Sequence, residues 1–247
     1  GGPSLYEAKK DRHANAHCFS SSVDARHFRQ ALDEAISHPD QAHVAGPRLG
    51  FYGVIDERFD TDLVRQMAAR HPKWQIVLVG PVVKIDPAEL PRADNVHYMG
   101  QRNYDELPKF LAGWDLCLLP FAMNDSTKFI SPTKVLEYMA AEKLSVSTPI
   151  TDVKVPYGDV VAIAETADEY IAACERMLAA ADDEKTRLVE RMRDIVANTS
   201  WDKTASRMHE LIRTTTPGET RSAAASVLEG GTTARVNPLP VAQKTAA

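Results

Sequence analysis

The chain predicts an α/β fold, a doubly wound, Rossmann-like parallel sheet. From Arg48 onward, strand-like and helix-like segments alternate almost to Arg213. The segments Ile76–Val79 (IVLV) and Leu116–Leu119 (LCLL) are apolar at every position, as strands covered on both faces must be. Alternation of this kind builds right-handed strand–helix–strand units. Such sheets bind ligands outside the carboxyl ends of their strands, where the strand order reverses.

The elements follow in order. Ser4–Lys10 reads as a short helix and Ala16–Phe19 (AHCF) as an apolar strand. His27–Ser37 reads as a helix with Phe28, Ala31, Leu32, Ala35 and Ile36 on one face. His38–Pro47 is a polar linker. Then come the strand GFYGVI, a helix DTDLVRQMAARH capped by Asp60, the strand WQIVLVG and a helical turn PAEL. They are followed by the strand NVHYMG, the helix YDELPKFLAGW and the strand DLCLLPF. The helix PTKVLEYMAA, the strands LSVST and DVVAIA, and two amphipathic helices complete the alternation, and SWDKTASRMHELIR closes it. The loops placed at strand ends are Gly53–Asp60, Gly80–Ile85, Gly100–Tyr104, Pro120–Ser131 and Thr148–Tyr157. Beyond Thr214 the chain turns small, polar and Pro/Gly-rich, and 215–247 is expected to be a disordered tail. The opening GGPSLYEAKK, without methionine, reads as part of something longer.

Composition narrows the function. A net charge of −5 and a pI near 5.9 disfavour a nucleic-acid partner, so any phosphate site must be local. No apolar run reaches the roughly 20 residues of a membrane span. Cys18, Cys117 and Cys174 are too scattered for a disulfide framework or a zinc site and read as small buried hydrophobes in a reducing compartment. Asp60-Thr-Asp62 has the Asp-x-Asp form of a metal site, but it opens a helix and reads as capping. The eight histidines show no metal-ligand spacing. The glycines of GFYG lack the third glycine of a dinucleotide fingerprint.

The stretch Phe129–Pro149, FISPTKVLEYMAAEKLSVSTP, carries the sharper chemistry. Ser131 is a candidate N-cap and Pro132 suits a first helical turn. Free amides there, together with Lys134, would cradle a phosphate. Lys134 and Glu137 share one helix face. The carboxylate, one turn on, could accept hydrogen bonds from ribose hydroxyls. Spacing alone equally fits a surface ion pair on an ordinary capped helix.

The pattern Pro-x-Lys-x-x-Glu-Tyr-x-Ala resembles the donor-site helix of GT-B glycosyltransferases of family four, the "group 1" transferases. GFYGVIDERFD resembles that family's first donor-domain strand and loop, and WQIVLVGP its second strand. NVHYMGQRNYDELPKFLAGWDLCLLPF is similar to its base-binding loop, helix and fourth strand. VDARHF and SWDKTASRM resemble its domain junction and closing helix. The likeness runs from Pro3 to Arg213 and rests on the order of the segments.

The resemblance implies the C-terminal half of a GT-B architecture: 1–46 the remnant of an acceptor domain with its linker, 47–214 the nucleotide-sugar donor domain. It implies glycosyl transfer from a nucleotide-diphospho-sugar, with UDP favoured and GDP left open, to a saccharide or lipid-linked acceptor in polysaccharide or glycolipid synthesis, with retention. No cofactor or metal is implied. The location expected is cytoplasmic, at the inner face of the membrane if the missing half associates with it, and the fragment alone should transfer little. Glu137 falls on the ribose-binding glutamate. Ser131, Thr133 and Lys134 fall near the phosphates, Arg58 on a pyrophosphate-binding cation, Gly53 on a close backbone approach, and Gln101–Arg102 where the base is met. Arg58 and Lys134 would stabilise the leaving diphosphate.

This chain departs from the pattern at Phe129, where a second glutamate is usual, leaving Asn124, Asp125, Ser126 and Lys128 as substitutes. It departs at Val54, where an arginine is usual, and at Glu142, where a glycine normally ends the helix. A left-handed glutamate there costs about 1 kcal/mol. Two other functions remain open: a nucleotide-sugar epimerase or hydrolase on the same fold, and a non-catalytic nucleotide-binding module.

Overall fold

Hydrophobic strands short enough to be covered on both faces dictate what a computed structural model of the chain shows over residues 1–214. Six strands pair in parallel: β1 (Arg48–Tyr52), β2 (Gln75–Val79), β3 (Val96–Gly100), β4 (Leu116–Leu119), β5 (Ser145–Ser147) and β6 (Ala162–Ile163). Their spatial order is β3-β2-β1-β4-β5-β6. The order reverses between β1 and β4, where Leu49 registers with Leu116 and Gly50 with Cys117. β2 and β4 are fully buried apart from Gln75.

The helices are α1 (Pro3–Lys9), α2 (Ala25–Phe28), α3 (Thr61–Arg70), α4 (Leu107–Ala112), α5 (Lys134–Ala140), α6 (Thr151–Tyr157), α7 (Ala167–Leu178), α8 (Asp182–Ala197) and α9 (Trp201–Thr214). Asp60 caps α3, accepting from the Leu63 amide at 2.8 Å, and Asp62 pairs with Arg65. The Asp-x-Asp run is therefore a helix start. No described helix is long and apolar enough to cross a membrane, and among the described residues no acidic, His or Cys group could hold a metal.

Several expected elements differ. Ala16–Phe19 forms no strand. The segment is four residues long, and so short an apolar run does not by itself define an element. The helix expected over His27–Ser37 breaks into α2 and two tight 3₁₀ turns. The break falls at Asp33, which is extended and whose carboxylate accepts from the Ala35 amide. A side chain that bonds its own backbone this way competes with the helix. Of the anticipated face, Phe28 and Ala31 are buried, whereas Leu32 and Ala35 are exposed.

The segment read as a linker is packed. Gln41 is fully buried, accepts from the Trp114 indole at 3.1 Å, and donates to the Phe110 carbonyl at 3.0 Å. Residues Gly1–Ala205 form one compact unit that includes the sheet. The helix α6 was hidden inside an expected loop, because Val153, Val155 and Pro156 are poor helix formers. The tail at 215–247 lies outside the described residues.

Two details bind the sheet to its cover. Trp114 lies so close over Gly50 that a β-carbon there would stand 1.9 Å from its ring. Tyr170 of α7, fully buried, donates its hydroxyl to the Val146 carbonyl at 2.9 Å and accepts from the Leu119 amide at 3.2 Å, bridging β4 and β5.

The end of α5 follows the expectation for Glu142. Its φ is +54°, and the Lys143 and Glu142 amides close on Tyr138 and Met139 carbonyls at 3.0 Å. This is a Schellman end with glutamate in the left-handed position. The carboxylate is gripped by Arg193 at 2.7 Å through two nitrogens. Because Glu142→Gly and Glu142→Ala both lose that pair, they isolate the backbone strain. The glycine variant should be the more stable by about 1 kcal/mol, which is about 2–4 °C in Tm, read by thermal denaturation. Equal melting points would show that the left-handed geometry costs nothing.

Candidate functional site

Three adjacent strands end in glycine with positive φ: Gly53 (+144°), Gly80 (+144°) and Gly100 (+70°). They are knitted by backbone bonds, Gly53 amide to Val79 carbonyl and Gly80 amide to Gly100 carbonyl, both 2.8 Å. A β-carbon on Gly80 would strike the Gly53 carbonyl at 1.9 Å. On Gly53 it would meet Lys134 Cε at 2.4 Å and Nζ at 2.8 Å. Gly53 therefore admits the Lys134 ammonium, which also lies 5.7 Å from the centre of the Phe51 ring.

Lys134 opens α5, but the helix starts later than the sequence suggested. The first helical carbonyl is that of Thr133, which receives the Leu136 and Glu137 amides at 3.0 and 3.3 Å. Ser131 is therefore not the N-cap and Pro132 lies outside the helix. Proline holds the preceding residue out of helical geometry, so the chain stays non-helical through Ser131 and Pro132. With only seven residues the helix offers a weak dipole. The cation must come from side chains.

Glu137, one turn on, is mostly buried, and burial pushes its pKa up despite the Tyr52 hydroxyl, which donates to Oε2 at 2.6 Å. Lys134 and the Thr133 hydroxyl pull it back in part. Burial pushes the Lys134 ammonium pKa down; Glu137 and Asp56 oppose that, and Arg58 adds to it. A partly desolvated cation and carboxylate thus share one face, the kind of perturbed pair found at functional sites.

The remaining candidates are placed as follows. Arg58 is clasped by the buried Asp56 through Nε at 2.9 and 3.1 Å, yet its side chain stays 38% exposed. This guanidinium holds the Asp56 pKa below the ordinary carboxylate value. Arg102 is braced by Asp40 at 2.6 Å and by the Met99 carbonyl at 2.9 Å, which fixes the turn after β3. Gln101 beside it is exposed. Asn124 is spent on its own turn and on the Glu57 carbonyl at 2.7 Å. Phe129 is half-exposed under the Lys128 ammonium, and Val54 is exposed.

Sequence reading missed Tyr52, His27 and Tyr104. His27 stacks on Tyr104 with centroids 4.2 Å apart, and both lie within electrostatic reach of Glu137. Their sequence signals lay in the segments VDARHF, GFYGVIDERFD and NVHYMGQRNYDELPKFLAGWDLCLLPF, which carry His27, Tyr52 and Tyr104. Two clefts of about 520 and 510 Å³ lie elsewhere, one beside Tyr98 and one beside Trp114, and neither includes Gly53, Lys134 or Glu137.

Residues 47–180, more than half of the chain, match the family model described as Glycosyl transferases group 1. The chain belongs to this family. TuaH of Bacillus subtilis (strain 168), named for teichuronic acid biosynthesis as a glycosyltransferase, is 27% identical over 179 residues, 70% of this chain and 44% of the relative. The fold is shared with the trehalose-6-phosphate synthase OtsA (TM-score 0.62, 14% identity, 79% of this chain and 50% of that one). It is shared too with the catalytic domain of starch synthase IV from Arabidopsis thaliana, solved with ADP and acarbose (0.61, 15%, 83% and 50%). Anabaena HepE, solved with UDP and glucose, has a TM-score of 0.55 at 15% identity, over 79% of this chain and 53% of that one. The chain spans about half the length of these proteins, and its sheet is a GT-B Rossmann-like domain of a group 1 transferase.

The raised pKa of Glu137 has a consequence for stability. A carboxyl whose folded pKa is raised is protonated more readily in the folded than in the unfolded chain. Its contribution is full below the unfolded value, near 4.5, and is lost as pH rises through the higher folded value. Glu137→Gln should remove this loss. Its Tm relative to wild type should rise as pH increases from 4.5 towards neutrality, whereas a constant difference would show that burial does not penalise the carboxylate.

Proposed function

We propose that this chain is the donor-binding half of a retaining glycosyltransferase that takes a UDP-sugar and passes the sugar to a saccharide or lipid-linked acceptor in polysaccharide or glycolipid synthesis. The observation that carries it is the pair formed by Lys134, seated on Gly53, and Glu137, held by Tyr52, at the point where the strand order reverses. One group favours phosphate and the other paired hydroxyls, at the spacing of one helical turn, about 5 Å. A nucleoside diphosphate presents both.

In the reaction the bond from the sugar's anomeric carbon to the diphosphate breaks as the acceptor oxygen bonds to that carbon. The acceptor proton passes to the departing phosphate oxygen. Lys134 and the free edge of Arg58 take up the charge that develops on the diphosphate. Partial burial makes Lys134 a strong partner for this, since a cation that has already lost part of its hydration gives up less to meet a phosphate. In this reading no metal or cofactor takes part, and the reaction runs in the cytoplasm, at the membrane's inner face if the acceptor-binding half associates with lipid. Release of UDP that proceeds equally without acceptor would instead mark a hydrolase.

Calorimetry tests the two roles. Lys134→Ala should weaken both UDP and inorganic pyrophosphate by about 10–100-fold, the worth of a charge-assisted bond. Glu137→Ala should weaken UDP by roughly tenfold and leave pyrophosphate within about twofold. Equal losses for the two ligands on Glu137→Ala would exclude a ribose contact, and no nucleotide binding by the wild type would exclude a donor site.

A further inference from the structure

Asp152, in the first turn of α6 beyond the carboxyl end of β5, is 4% exposed, and its Oδ2 has no hydrogen-bond partner. Its other oxygen, Oδ1, accepts from the Ser4 amide at 2.9 Å across 148 positions of sequence. An ionisable group this deeply buried normally satisfies both oxygens, because one left unpaired keeps the full penalty of losing its water. The Ser4 hydroxyl above it is likewise buried without a partner.

The position of Asp152 relative to the grip gives the unpaired oxygen its meaning. A β-carbon built on Gly2 would lie 1.8 Å from Asp152 Oδ2 and 2.5 Å from Ser131 Oγ, so the two oxygens face one small space that Gly2 fills. Glu137, Lys134 and Ser131 follow one another towards and past the start of α5, each step about 4.5 Å of helical rise where the chain is helical. A donor lying along that line puts ribose at Glu137 and phosphate at Lys134. The group attached to the far phosphate then reaches Ser131 and Asp152. The residues Gly2, Pro3 and Ser4 occupy that same space.

We propose that Asp152 is a specificity-determining carboxylate for the transferred sugar, accepting a hydrogen bond from one of its hydroxyls, and that Gly2–Ser4 covers it until a donor enters. This rests on the donor-site reading above. A sugar hydroxyl is a fitting partner, since an ionised carboxylate only accepts and the site supplies Oδ2 with no donor. The cover holds by one backbone bond, Ser4 N–H to Oδ1, and the sugar competes with it for the same side chain.

The test compares UDP with UDP-glucose, UDP-galactose and UDP-N-acetylglucosamine on the full chain, by calorimetry. Asp152→Asn keeps the shape and an acceptor for Ser4, so it should lower affinity for the best-bound UDP-sugar about tenfold while UDP stays within about twofold. Ser4→Pro removes the covering N–H at a position in the first helical turn where proline fits. It should tighten that UDP-sugar about three- to fivefold, the release of one backbone bond, and leave UDP unchanged. UDP-sugar affinity untouched by Asp152→Asn, or UDP weakened in step with it, would overturn the sugar contact; no gain from Ser4→Pro would overturn the cover. Wild type that binds UDP but discriminates no sugar refutes this inference alone. Wild type that binds no nucleotide refutes the donor reading beneath it.

Discussion

The placement of the Lys134 ammonium over the bare backbone of Gly53 is the constraint around which the site is arranged. A cation withdrawn from water must be repaid by nearby negative charge, and the chain supplies it in two directions, from Glu137 along the helix and from Asp56 across the loop. Any side chain on Gly53 would close the approach, and any on Gly80 would push the Gly53 carbonyl aside. Gly53 and Gly80 are therefore parts of one device, with Gly100 joined to it through its carbonyl. The Phe59–Phe121 bridge and the Asp60 amide to Pro120 carbonyl bond, 2.9 Å, sew together the loops on either side of the strand reversal. That stitching keeps Arg58 beside Lys134.

Much of this was legible in the sequence, for identifiable reasons. Parallel strands buried on both faces leave continuous apolar runs such as Ile76–Val79, and Asp60 marks its helix by bonding a backbone only three residues on. Lys134 and Glu137 could be paired because helical periodicity is local. Glu142 could be suspected because its position needed a left-handed residue, and it adopts one. What stayed hidden depends on distant partners. Tyr52 meets Glu137 across 85 positions and Ser4 meets Asp152 across 148, and no spacing rule reaches so far. The fracture of the expected His27–Ser37 helix turned on one side chain, that of Asp33, choosing its own backbone. Ser131 was misplaced as a cap because Ser-Pro-Thr offers two plausible starting residues, and only the carbonyl of Thr133 decides between them.

Residues 47–180 place this chain among the group 1 glycosyl transferases, and it spans about half of the compared proteins. Two sides of the proposed donor grip differ in character. The Glu137 side is firmly held: Glu137 is anchored by Tyr52, and the His27–Tyr104 stack lies within its electrostatic reach. The far side is held by weak closures, a glycine and one backbone bond over Asp152.

The phenol of Tyr170 gives the site its rear wall a property of its own. By taking the Leu119 amide and holding the Val146 carbonyl, it makes the last peptide of β4 answer to helix α7 as well as to a neighbouring strand. That amide can trade its hydrogen with solvent only when α7 lifts away. Protection at Leu119 is then a gauge of how often α7 leaves the ends of β4 and β5, and it ties the lifetime of that strand edge to a helix that carries none of the proposed binding residues.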